Sequence, residues 1–164
     1  MLDTLAPGGW LQVQEMEVKQ YPSQCTSWNN IMAIMGAMFD KIGIGADYAS
    51  KLSTSFEKAG LRNVTAEKIK LPAGMKMGNE ADAMNSLIPF KITIPTLKQA
   101  IQGKLSKRRT EYTRPGSANG ENDLGLGIEL EPSVTDQLEE RFEEEMMAEG
   151  AVFTSYIICG QKAD

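Results

Sequence analysis

The spacing of apolar and polar positions divides the chain into alternating strands and helices. Residues Trp10 to Val18 carry Trp10, Met16 and Val18 on one face and Leu11 and Val13 on the other. That pattern predicts a strand covered by helices on both sides, as in α/β sheets. Before it, Pro7 stops the last turn of a helix and Gly8-Gly9 turn the chain. Ser27 is expected to cap a helix with Ile31, Ile34, Met35, Met38, Phe39 and Ile42 at helical spacing, ending near Gly43. Asp47 is expected to cap a second helix, in which Tyr48, Leu52 and Phe56 stack at steps of four before Gly60 closes it. From Leu61 to Leu71 the alternation at Val64 and Ala66 shifts phase at Ile69 and Leu71, predicting a strand with a bulge near Lys68.

Further on, helices are expected at about Asn79 to Leu87 and from Thr93 to about Arg109, with Pro95 in the first turn of the second. Arg114 to Gly127 is rich in Gly, Asn and Ser and reads as a mobile loop. Pro132 and Ser133 open another helix with Val134, Leu138, Phe142 and Met146 in one apolar stripe, ended by Gly150. The continuous apolar, β-branched run from Ala151 to Cys159 reads as a central buried strand.

Composition narrows the chemistry. The 164 residues suit one domain. The formal charge of -5 repels a phosphate backbone, so nucleic acid is not expected as a partner. Two distant cysteines, Cys25 and Cys159, with neither a signal segment nor a long apolar run, point to a reducing cytosol and away from membranes. The chain has no histidine, which removes the commonest general base and metal ligand, and no metal site is expected.

Three segments carry a family resemblance. Leu5-Ala6-Pro7-Gly8-Gly9-Trp10-Leu11-Gln12-Val13-Gln14-Glu15 resembles the L-x-P-G-G-x-L-x-x-x-E entry to the fifth strand of class I S-adenosylmethionine (SAM) methyltransferases, particularly those acting on small molecules in fungal specialised metabolism. Ala59-Gly60-Leu61-Arg62-Asn63-Val64 is similar to the family's A-G-F-x-x-V, with Leu61 in place of the usual aromatic, and Leu71-Pro72-Ala73-Gly74 to its L-P-x-G. The resemblance covers nearly the whole chain. It implies a truncated Rossmann-like methyltransferase fold: about three strands in the order fifth, seventh, sixth, the last antiparallel, with a helical insertion and loop over residues 72–127 above a pocket. It also implies that the glycine-rich loop, the acidic ribose ligand and the adenine-contacting segment have no counterpart here, so no cofactor is expected. The late run Asp123-Leu124-Gly125-Leu126-Gly127-Ile128 looks like D-x-G-x-G, but it follows no buried strand and reads as a flexible loop.

Gln14, Glu15 and Glu17 fall at the carboxyl end of the first strand, the side on which open α/β sheets bind ligands. Glu15 is the best acid/base candidate in a chain without histidine, against the commoner reading of a solvated carboxylate. Tyr21, Trp28 and Asn29 fall where the family places part of its acceptor pocket; Trp28 also suits a core position. Met32, Met35 and Met38, with Met75, Met77 and Met84, suit either an adaptable apolar cavity or a repacked core. Lys104, Lys107, Arg108 and Arg109 read as a basic cluster at a helix end, and Glu139 to Glu149 as a solvated acidic face.

Without a fourth strand, the edge from Leu11 to Met16 needs a partner. A homodimer through that edge or through helix faces is therefore expected. The functional expectation is a methyltransferase-like protein without its own SAM site that binds an apolar specialised metabolite and promotes a SAM-independent cyclisation or isomerisation. Two alternatives stand beside it: a non-catalytic subunit of another methyltransferase or biosynthetic enzyme, and one half of a split methyltransferase.

Overall fold

The computed structural model describes residues 2–21, 24–101 and 132–163. Strands β1 (Trp10–Met16), β2 (Leu61–Ala73) and β3 (Ala151–Lys162) form one sheet in the order β1-β3-β2, with β3 antiparallel to both neighbours. Helices α1 (Thr26–Lys41) and α2 (Tyr48–Lys58) join β1 to β2, while α3 (Glu80–Ile101), α4 (Pro132–Asp136) and α5 (Leu138–Ala148) lie between β2 and β3. The protein is thus mixed α/β. The strand that comes last in sequence lies between the other two. Among the described residues β1 has a strand on one side only, and no helix is long and apolar enough to cross a membrane.

Register explains the apolar pattern. Val13 pairs with Ile158 and Glu15 with Tyr156, so Leu11, Val13, Tyr156 and Ile158 share one face, where Leu52 and Phe56 of α2 pack on them. Met16 pairs with Ser155 and Ala73 with Ala151, which turns Met16, Ala73, Ala151 and Phe153 to the opposite face, beneath α1, α3 and α5. The helices therefore cover opposite faces at opposite ends of the sheet. From Thr65 to Ala73 the pairing of β2 with β3 is unbroken. The phase shift at Ile69 is thus a change of buried face, and no bulge occurs near Lys68. The irregularity falls between Arg62 and Thr65, where Asn63 takes a positive φ of 51°, a conformation asparagine tolerates better than most residues. Trp10, expected beneath a helix, lies 57% exposed.

Three other expectations change. The two helices expected around Asn79–Leu87 and from Thr93 are one helix, α3, which runs through Pro89 and Pro95. Each interior proline removes a backbone donor and disfavours the helix by about 3 kcal/mol. Burial of Ala83, Leu87, Phe90, Ile94, Leu97 and Ala100 along one stripe of α3 offsets that loss. The helix opened by Pro132 is broken at Gln137 into α4 and α5, although Leu138, Phe142 and Met146 keep their common buried stripe. Ser27 does not cap α1. It lies in the first turn, and its backbone N–H and hydroxyl donate to Oε2 of Glu145 in α5 at 2.8 and 2.7 Å. A carboxylate from a neighbouring helix thus satisfies the orphan donor and complements the helix dipole. The expected continuation to Arg109, the basic cluster and the Asp123–Ile128 run lie outside the described residues.

Candidate functional site

Between the helical layer and the sheet runs a groove of about 670 Å³, within the size range of small-molecule sites. Gln14, Met16, Phe153 and Ser155 form its floor from β1 and β3. Ile31 and Met35 contribute one wall from α1; Ser86, Pro89, Phe90 and Thr93 contribute the other from α3. Leu71 and Pro72 of β2, with Met77 of the following turn, close one end. None of these thirteen side chains carries a charge.

The aromatic walls are held from behind. Trp28 is fully buried, with ring centroids 5.0 Å from Phe90 and 5.6 Å from Phe153. Phe142 backs Phe90 at 5.8 Å. Phe90 and Phe153 therefore belong both to the core and to the groove, while Trp28 belongs to the core alone. Its indole N–H has no hydrogen-bond partner among the described residues.

Of the residues singled out in the sequence, Gln14, Met35 and Met77 meet in the groove. Met32, 1% exposed, lies in the core beside Trp28. Asn29 ties down the loop before α1: its Oδ1 accepts from the Tyr21 backbone N–H at 2.8 Å, and its Nδ2 donates to the carbonyl oxygens of Tyr21 and Gln24 at 2.9 and 3.3 Å. Met84 lines a second hollow of about 410 Å³ with Ile88, Ile92 and the Lys91–Glu143 ion pair. Met75 is exposed and lines neither. Sequence reasoning missed Phe90 and Thr93 as groove residues because it expected a break in the helix that holds them.

Glu15 faces the other side of the sheet, where its Oε2 accepts the Tyr48 hydroxyl at 2.5 Å. Burial and that carboxylate push the Tyr48 phenol well up, so it remains a donor. Glu17 is the hub of a second cluster. It accepts the hydroxyl of Tyr21, and its Oε1 accepts from Tyr156 at 3.2 Å and from Lys68 Nζ at 3.3 Å. The Tyr21 hydroxyl also lies 3.2 Å from Thr154 Oγ1. Burial raises the Glu17 pKa, but the hydrogen bonds from Tyr21, Lys68 and Tyr156 together outweigh it and hold the carboxyl below its ordinary value of 4.5. A depressed carboxyl stabilises the fold above that value, and the contribution is lost as pH falls through the folded-state pKa. Glu17→Gln is expected to lose about 1 kcal/mol at pH 7 and to show a flatter decline of Tm below pH 4.5 in calorimetric scans. An unchanged acid limb in the variant would assign the acid sensitivity to other groups.

Comparison with known proteins finds a partial likeness to a fungal methyltransferase. The chain is 27% identical over 106 residues to an Aspergillus fumigatus protein named methyltransferase psoC, covering 61% of this chain and 39% of that one. It therefore spans well under two thirds of that relative's length. No family model matches the chain, and no solved structure matches it.

Proposed function

We propose that the chain forms the acceptor-binding part of a Rossmann-like methyltransferase fold, and that its groove holds an apolar, metabolite-sized molecule of specialised metabolism. The observation that carries the reading is the groove itself: an uncharged hollow of about 670 Å³ walled by methionine and aromatic side chains, in a chain of which 24% is charged. The likeness to methyltransferase psoC supports the family. The order β1-β3-β2 with an antiparallel central strand supports its fifth, seventh, sixth arrangement. Because no ionisable side chain among the described residues lines the groove, the chemistry that suits it is reaction promoted by shape and orientation, such as cyclisation or isomerisation of a flexible apolar molecule.

N-phenyl-1-naphthylamine, a neutral fluorophore, serves as the probe. The protein is expected to bind it, and Thr93→Trp, which fills the groove from α3, is expected to weaken binding at least about tenfold with little change in Tm. Ile92→Ser, on the exposed second hollow, is expected to leave binding unchanged. Equal loss in both variants, or loss in neither, would remove the groove as the ligand site.

A second reading has its own support. The open edge of β1 and the stripe of Met84, Ile88 and Ile92 on α3, which are 48%, 50% and 72% exposed, suit a subunit that pairs with a second copy or with a methyltransferase. Sedimentation at micromolar concentration separates this reading from a monomer.

A further inference from the structure

We propose that Thr93 and Ser155 set the specificity of the groove, selecting a neutral ligand that carries an O–H or N–H donor over its alkylated or anionic counterpart. The inference deepens the reading of the groove as a ligand site and rests on it.

The polar groups of the lining decide what it can recognise. A hydroxyl has one proton to give. Thr93 gives its own to the carbonyl oxygen of Pro89 at 2.8 Å, and Ser155 gives its own to the carbonyl oxygen of Glu15 at 3.0 Å. Both oxygens therefore meet a ligand with lone pairs only. Ser86 is further occupied, because it donates to Ala83 at 2.6 Å and accepts from the Gly74 N–H at 2.8 Å. The Gln14 amide has no partner among the described residues and offers the one uncommitted donor group of the described lining together with an acceptor. Acceptors thus outnumber donors in the groove. A ligand that brings only acceptors leaves the Thr93 and Ser155 oxygens desolvated and unpaired, while a charged one is buried without a counter-ion.

Three probes that share one aromatic frame separate these effects: N-phenyl-1-naphthylamine carries an N–H, its N-methyl derivative lacks it, and 8-anilino-1-naphthalenesulfonate keeps it but adds an anion. Fluorescence titration is expected to give binding about three- to tenfold tighter for the first than for the second, and at least about tenfold tighter than for the third. Thr93→Val and Ser155→Ala are each expected to shrink the preference for the N–H probe, because the N-methyl probe then no longer leaves a desolvated hydroxyl oxygen behind. Equal affinity for the N–H and N-methyl probes, tight binding of the sulfonate, or a full preference in both variants would overturn the proposal. If the first two probes bind equally and both are lost in Thr93→Trp, the groove stands as the site and the selectivity alone fails. If neither binds, the groove reading fails and the selectivity fails with it.

Discussion

Gly74→Ala is expected to destabilise the protein by about 2 to 5 kcal/mol, lowering Tm by roughly 5 to 20 °C. Two effects add at this position. Its φ of +61° is a conformation that L side chains adopt at a cost, and a Cβ built there would lie 2.2 Å from the backbone oxygen of Met146. Backbone oxygen in α5 cannot step aside as a flexible side chain would. Gly150 stands opposite, with φ +65° and a Cβ position 2.6 Å from the backbone nitrogen of Lys76. The two glycines let the turn after β2 and the turn before β3 pass at van der Waals distance. Gly43→Ala isolates the conformational part, since Gly43 has φ +80° and nothing within 4 Å of the added methyl. It is expected to lose only about 1 to 2 kcal/mol. Equal losses at Gly43 and Gly74 in thermal melts would show that the close approach contributes nothing.

Trp28→Ala is expected to lose about 3 to 5 kcal/mol, the usual result of removing a large aromatic from a closed core. Trp28 touches Phe90, Phe142 and Phe153, so the groove walls should loosen as the core does. Trp28→Phe makes the sharper comparison. It leaves a smaller void and also removes a buried N–H that has no partner among the described residues, a group whose desolvation costs about 1 to 3 kcal/mol. That gain offsets part of the lost packing, and the phenylalanine variant is expected to lose less than about 1.5 kcal/mol. Chemical denaturation distinguishes the two. A phenylalanine variant as unstable as the alanine one would mean that the indole N–H is satisfied in solution.

Much of the framework was legible because burial follows period. Strands β1 and β3 and helices α1 and α2 were readable from apolar spacing, and Gly60 and Gly150 marked real ends with φ of +85° and +65°. The misreadings share a cause: a local signal was overruled by a partner distant in sequence. The prolines of α3 argue for two helices until the buried stripe from Ala83 to Ala100 is counted as one surface. Ile69 suggests a bulge until it is clear that α2 covers one end of the sheet and the other helices the opposite face. Asn63 marks the true irregularity, and asparagine is among the residues that most readily take a positive φ. In the site, Gln14 and Met77 could be placed from strand and segment position. Alternation along β1 also dictates that Glu15 faces away from Gln14, so the two cannot share one site. Thr93 and Ser155 carried no signal, since a hydroxyl acquires its role only when its proton has been committed elsewhere.

The placement of β3 bears on how a cell makes this protein. Residues 151–162 bridge strands that begin at Trp10 and Leu61, so during translation both earlier strands leave the ribosome before the strand that lies between them. Trp10 pairs with Gln161, a closure across about 150 residues, and contacts of such range are slow to form. The nascent chain must therefore wait, its apolar segments exposed to chaperones and to neighbouring copies, until β3 arrives and completes both ladders together.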